Sequence, residues 1–431
     1  MKKLLAFLFS FFSLLTGILH FIRLRTPWGL GLWFPKLLAE ALSPYLVVIG
    51  AVGVGLGVLA RAPAAILAGL AGMWASVHYL WKVTAVSADF SSAFTPQWPE
   101  RLPPTQAHQR FLQKYWVWQP ATPPAPRWID DMAFWTLPGT QRHLLCDIWQ
   151  PPVGVTPSGL GIIYCHGSAW YLIDKDYGTR PLFRYLAAQG HVIMDVAYRL
   201  APETDVRGMV GDVKRAIAWF KANAAHYGVN PDRIVVGGGS AGAHLALLAA
   251  YTPTVAALAP EELRDVDLGV HGVFSFYGPT DMRAVITHHA RMSHLGQRYI
   301  TPPPPPPMPI SRADPSWRRH QLDQFKRATR TPWDLFGGLP DEVPDMYDLV
   351  SPIYHVQPNS PPTLLIQGEH DLLVPVESAR ALRDKLLAAG ASVTYLELPR
   401  TDHAFDFVLP MFSPPAQASF YALERFLAWL M

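Results

Sequence analysis

The chain has little charge and almost no cysteine. Asp, Glu, Lys and Arg make up only 16% of its 431 residues, and the mean hydropathy is +0.12, which is apolar for a chain folding in water. The net charge of +3 and a pI near 8.7 are mildly basic. No dense Lys/Arg block interleaved with aromatics is present, so nucleic acid is not expected as a partner. The two cysteines, Cys146 and Cys165, fall inside stretches that read as strands and in no metal or redox spacing. They read as small buried apolar residues and leave the compartment open. No Asn-x-Ser/Thr sequon adds support for secretion.

The apolar excess sits at the start. Leu4 to Ile22 is an almost unbroken apolar run between Lys2-Lys3 and Arg23/Arg25, about the length that crosses a bilayer. It is long for the core of a signal peptide and no small-x-small cleavage site follows, so an uncleaved helix is expected. Tyr45 to Ala60 and Ala64 to Trp81, split by Arg61 and Pro63, read as a helical hairpin packed through Gly and Ala. Residues 1–86 are therefore expected to be a multi-pass membrane region of about three helices, with the bilayer as a partner. Arg23, Arg25 and Lys36 against Arg61 favour the cytoplasmic side for the C-terminal domain, by a small margin that Lys2 and Lys3 oppose.

Residues 87–127 turn to Pro, Trp and Gln and read as a linker. From 128 to 431 the pattern is that of an α/β domain. Met132 to Leu137 and His143 to Trp149 form an expected antiparallel pair around Pro138-Gly139. Further strands are expected at Gly159 to Tyr164, His191 to Val196, Arg233 to Val236, Val270 to Phe276, Thr363 to Gln367 and Ser392 to Leu398. Helical patterns such as Val210 to His226 and Glu377 to Ala389 lie between them, the second stopped by Gly390. The alternation implies a mostly parallel sheet covered on both faces. It is interrupted at about 282–361, where the run Pro302 to Pro307, Trp317 and Trp333 suggest a cap insertion with an exposed rigid spacer. His288, His289 and His294 have no Cys or carboxylate at ligand spacing, so no metal site is expected there.

Chemistry enters at Arg233 to Leu245. A β-branched run ends in Gly237-Gly238-Gly239, Ser240 follows, and an Ala/Leu-rich helix pattern starts at once. This is the strand, sharp turn and helix of a nucleophile elbow, G-x-S-x-G. A phosphate-binding P-loop would need a Lys-Ser/Thr after its glycines, and none follows here. A serine hydroxyl needs a base to take its proton, and that base needs an acid to orient it. The expected chain order is Ser, acid, His. Thr363 to Gln367 runs into Gly368-Glu369-His370-Asp371, at a strand's C-terminal edge where open α/β sheets place their sites. Asp371 is the preferred acid and Glu369 the competitor. His403, one of 16 histidines, lies on the loop after the last strand and before a helix expected from Ala416 to Leu430. Asp402 and Asp406 read as neighbours or helix caps. The amides of Gly167, Ser168 and Ala241 are the expected oxyanion hole, with His166 structural.

With these residues laid out, the chain resembles the esterases and lipases of the α/β-hydrolase fold related to hormone-sensitive lipase and bacterial carboxylesterases. The resemblance runs from about Trp128 to the C-terminus. It rests on His166-Gly167-Ser168-Ala169-Trp170, Tyr198-Arg199-Leu200-Ala201-Pro202-Glu203, Asn230-Pro231-Asp232-Arg233-Ile234, the elbow, Ser351-Pro352-Ile353, and the Asp371 and His403 segments in that order. It implies a carboxylic-ester hydrolase working through an acyl-enzyme, with Ser240, Asp371 and His403 as the triad and no metal or organic cofactor. The expected substrate is a small-molecule or lipid-derived ester. Two features depart from the family. Ser168-Ala169 stands where His-Gly-Gly-Gly is usual, which restricts φ in the oxyanion loop, and the proline-rich insertion adds to or replaces the usual cap. A prenylcysteine methylesterase and an arylformamidase-like amidase are similar enough to stand as alternatives. A hydrolase-like receptor module is the non-enzyme alternative, disfavoured because such relatives typically lose a triad member.

Overall fold

The computed structural model describes residues 1–25, 29–85, 116–167, 169–292 and 331–431. Its sheet is built from β1 (Arg127–Thr136), β2 (His143–Gln150), β3 (Gly161–Cys165), β4 (Val192–Val196), β5 (Ile234–Gly239), β6 (Gly272–Phe276), β7 (Thr363–Gly368) and β8 (Val393–Leu398). The spatial order is β1-β2-β4-β3-β5-β6-β7-β8. β2 pairs antiparallel with β1 and β4, and every pair from β4-β3 to β7-β8 is parallel. β1 starts at Arg127, earlier than the hydrophobic pattern suggests. It is an edge strand with irregular register and a mostly exposed first half, so no apolar alternation marks its beginning.

Both faces of the parallel strands are buried, and alternate residues serve two cores. Ile163, Val236, Val273 and Leu365 face one core. It is closed by α6 (Val206–Asn223), α7 (Ala241–Tyr251), α8 (Met282–Met292) and α11 (Val376–Ala388). Ile162, Val235, Phe274 and Leu364 face the other, closed by α5 (Arg180–Ala188) and α12 (Pro414–Trp429). Asp205 caps α6 by accepting the Gly208 amide at 3.0 Å. Gly390, just past α11, takes the left-handed φ of +75° that ends a helix.

Of the expected cap insertion at about 282–361, α8, α9 (Thr331–Phe336) and α10 (Pro344–Leu349) are described. Leu335, Phe336 and Tyr347 are buried in the α6/α7 core, so this part belongs to the domain itself. The Pro302 to Pro307 run, Trp317 and His294 lie outside the described residues. So do residues 87–115 of the expected linker.

Among the described residues the N-terminal region holds four helices, α1 (Lys2–Leu19), α2 (Gly29–Ala41), α3 (Ser43–Leu59) and α4 (Pro63–Ala85). α1 and α4 are long and apolar enough to cross a membrane; α3 qualifies only together with α2, from which it is bent by 81°. Small residues set the packing. A Cβ on Gly53 would sit 2.5 Å from Ser10 Oγ, and one on Gly72 2.5 Å from the Ser13 carbonyl carbon. Large apolar side chains such as Leu8, Phe12, Val52, Leu67 and Trp74 point outward and are exposed, an outer surface suited to lipid tails. The C-terminal part of α4 reaches the α/β domain, where Tyr79 and Val83 join the α5/α12 core.

Candidate active site

The elbow is as tight as its glycines imply. Ser240 sits between β5 and α7 at φ 51°, ψ −120°, a strained conformation costing about 1–3 kcal/mol. Its amide is held by the Phe276 carbonyl at 2.9 Å. A Cβ on Gly238 would lie 2.1 Å from the Cys165 carbonyl oxygen, and one on Gly242 2.0 Å from the same atom. β3 and the elbow thus touch backbone to backbone, which is why both positions lack a side chain.

The three residues expected to cooperate are in hydrogen-bonding register. Ser240 Oγ lies 2.9 Å from His403 Nε2, and His403 Nδ1 lies 2.9 Å from Asp371 Oδ2. An ionised carboxylate only accepts, so Nδ1 carries the hydrogen and Nε2 is free to take the serine proton. Asp371 is held in turn. Its Oδ1 accepts the amides of Leu373 at 2.9 Å and Val374 at 2.8 Å, and its Oδ2 accepts from Gln367 Nε2 at 2.7 Å. Glu369, the competing acid, instead accepts the Arg400 amide at 2.8 Å. Asp402 caps no helix; its Oδ1 accepts the amides of Leu372 at 2.9 Å and His403 at 2.8 Å. Asp406 accepts from the Tyr277 hydroxyl, and burial raises its carboxyl above the usual range. The Tyr277 ring packs 4.5 Å from the imidazole.

A cavity of about 300 Å³ opens on Ser240 and His403, walled chiefly by apolar and aromatic groups including Leu172, Ile173, Leu182, Phe407 and Trp33. Gly167 lies against the elbow, since a Cβ there would be 2.9 Å from the Gly239 carbonyl oxygen and 3.4 Å from Ser240 Cβ. Ala241 opens α7, where first-turn amides have no partner within the helix and carry its positive dipole end. Ser168 lies outside the described residues. His166 stacks on Tyr198 at 4.5 Å between ring centroids, and its carbonyl accepts the Tyr198 hydroxyl at 2.8 Å. His288 and His289 place their Nε2 atoms 2.9 and 2.8 Å from the carbonyls of Leu372 and Leu373.

The loop after β3 carries its side chains at a cost in backbone strain. Ala169 and Trp170 hold φ of +48° and +64°, a region costing a residue with a Cβ about 1–2 kcal/mol. Ala169→Gly is therefore expected to stabilise the protein by about 1 kcal/mol, read as a higher thermal midpoint. A lower midpoint would show that the alanine methyl earns more by packing than the strain costs.

Trp170 is tied to the elbow helix. Its Nε1–H donates to His244 Nδ1 at 3.2 Å, so His244 Nε2–H donates to the Val350 carbonyl at 2.7 Å. Burial lowers the His244 pKa from 6.5 to about 4. Between these values the unfolded chain binds a proton that the fold refuses, so stability rises with pH across that window and is lost on acidification, by up to about 3 kcal/mol. The thermal midpoint of the wild type should fall from pH 6.5 to pH 4 more steeply than that of His244→Gln, which keeps one donor and one acceptor. Equal slopes would contradict this assignment.

Sequence reasoning missed Trp33, Gln367 and Tyr277. Gln367 was already inside the quoted strand, one residue of which had to point toward the acid. No local signal marks Trp33.

A mostly parallel eight-stranded sheet with a serine on a strained strand-to-helix turn is an α/β-hydrolase fold. The BD-FAE family model matches residues 146–303 and 316–386, more than half of the chain, and the chain belongs to that family, among the α/β-hydrolase esterases. Ser240 and Asp371 fall inside the matched stretches and His403 beyond them. The chain is 32% identical over 293 residues to the probable carboxylic ester hydrolase LipM of Mycobacterium tuberculosis, covering 67% of this chain and 58% of the relative. It is 32% identical over 272 residues to esterase LipQ of the same organism, covering 62% and 56%. It thus spans somewhat over half the length of these two relatives. Among solved structures, apo Thermogutta terrifontis esterase 2 is similar in fold, with a TM-score of 0.50, 21% identity and coverage of 69% of this chain and 93% of that one. A truncated carbohydrate esterase from gut microbiota gives 0.50, 22%, 72% and 99%.

Proposed function

We propose that this protein is a membrane-anchored serine hydrolase that cleaves carboxylic esters through an acyl-enzyme. The observation that carries the reading is the unbroken line from Ser240 Oγ through His403 to Asp371, with both links at 2.9 Å, at the floor of an apolar cavity. The kinship with curated ester hydrolases points to the same bond type.

In the first half-reaction His403 Nε2 takes the hydroxyl proton as Ser240 Oγ attacks the ester carbonyl carbon. The negative charge moves to the carbonyl oxygen, facing the amides of Ala241 and Gly167 and, in the family pattern, Ser168. Asp371 keeps the imidazole in the required tautomer and stabilises its cation. The imidazolium then gives the proton to the departing alcohol oxygen, leaving an ester on Ser240. Water, deprotonated by His403, attacks this ester and releases the acid. The apolar walls select an acyl or alcohol group with little polarity. The outward apolar faces of α1, α3 and α4 hold the site at a bilayer, where lipophilic esters concentrate.

The direct test is hydrolysis of a series of p-nitrophenyl esters by the full chain in membranes or detergent. Turnover should peak at an acyl length set by the cavity. Failure of the folded protein to cleave any ester of the series would sink the reading and favour a receptor-like module.

A further inference from the structure

The catalytic histidine's loop is tied to a helix more than 360 positions away in the sequence. α2 buries Lys36 and Glu40, at 0% and 1% exposure, against Asp402, at 0%. Lys36 Nζ donates to Glu40 and to the Arg400 carbonyl at 2.9 Å, and lies 3.6 Å from Asp402 Oδ2. Glu40 Oε2 accepts the Asp402 amide at 3.2 Å. The other oxygen of Asp402 accepts the amides of both Leu372 and His403, the residues next to Asp371 and of the base itself. Asp402 thus clasps the two loops that carry the acid and the base. α2 also supplies Trp33 to the cavity wall, with its ring centroid 6.5 Å from that of His403. A buried ion cluster is a poor way to gain stability, because the desolvation of its members offsets their attraction. What it does supply is a fixed geometry.

We propose that α2 is a working part of the active site, in which Lys36 and Glu40 are positioning residues that act through Asp402 to hold His403 and Asp371 in register with Ser240. The inference rests on the serine-hydrolase reading above. An imidazole displaced by a fraction of an ångström still lies in the pocket but accepts the serine proton poorly, which lowers the chemical step and leaves substrate binding nearly unchanged.

The test uses the full chain in membranes and two variants, Lys36→Met and the milder Glu40→Gln, which keeps an oxygen for the Asp402 amide. Reaction with a fluorophosphonate and turnover of a short p-nitrophenyl ester are both followed. The expected result is labelling of Ser240 to the wild-type end point at a rate lowered by about 10²-fold in Lys36→Met, with a smaller loss in Glu40→Gln. kcat should fall in parallel while KM stays within a factor of two or so of wild type. In a His403→Ala background Lys36→Met should cost nothing further, because its effect travels through the imidazole. The proposal is overturned if both variants react at the wild-type rate, if the loss is undiminished in the His403→Ala background, or if both variants lose the labelling end point through misfolding. Absence of labelling in the wild type would instead overturn the hydrolase reading, and this inference with it.

Discussion

Ser240→Ala is expected to lower kcat/KM for ester hydrolysis by about 10⁴–10⁶-fold, and adding His403→Ala to cost almost nothing more. In the proposed mechanism both residues serve one event, transfer of the hydroxyl proton as the oxygen attacks. Once the nucleophile is gone, the base has no proton to take. What survives is the background supplied by the pocket and by the amides facing the developing oxyanion. Steady-state rates of wild type, the two single variants and the double variant on one activated ester form the cycle that checks this. Losses that multiply in the double variant would mean that the 2.9 Å contact between Ser240 Oγ and His403 Nε2 is not the working one.

Gly242→Ala should be the most damaging substitution of a single methyl. The added carbon would lie 2.0 Å from the Cys165 carbonyl oxygen and 2.5 Å from that of His166. Both atoms are backbone, at the end of β3, and cannot swing aside as a flexible side chain would. β3 pairs with β4 and β5 on its two sides, so relief requires the elbow to lift from the sheet, moving Ser240 away from His403. The expected outcome is a loss of more than about 3 kcal/mol in stability, or a folded protein whose reaction with a fluorophosphonate is slowed beyond 100-fold or so. Thermal unfolding and labelling rate separate the two. A stable variant with wild-type labelling would show that the elbow is looser than the packing around Gly242 indicates.

The features legible in the sequence are those with a local cause. The elbow can be read because a turn that brings backbone against backbone admits only glycine at 238 and 242. All eight strands leave a signal, β3 to β7 most clearly because they are buried along their whole length, and Asp371 and His403 stand out because each lies on the loop after a strand. β1 is hidden at its start because an edge strand can be polar. The placement of β4 between β2 and β3 leaves no trace in the pattern, since the order of parallel strands depends on crossovers rather than on composition. α2 was missed altogether. Its apolar residues are interrupted by Pro35, Lys36 and Glu40, which reads as a loop between two membrane runs. The partners that make those charges tolerable, Arg400 and Asp402, are near the other end of the chain. The departure at Ser168-Ala169 was visible as a φ restriction, and the left-handed backbone of Ala169 and Trp170 is the form it takes.

The most direct measurement is fluorophosphonate labelling of the full chain in membranes, with the modified residue located by peptide mass. The account predicts a phosphonate on Ser240, absent in Ser240→Ala and formed far more slowly in His403→Ala. A folded wild-type protein that takes up no probe, or takes it up on another residue, would contradict it.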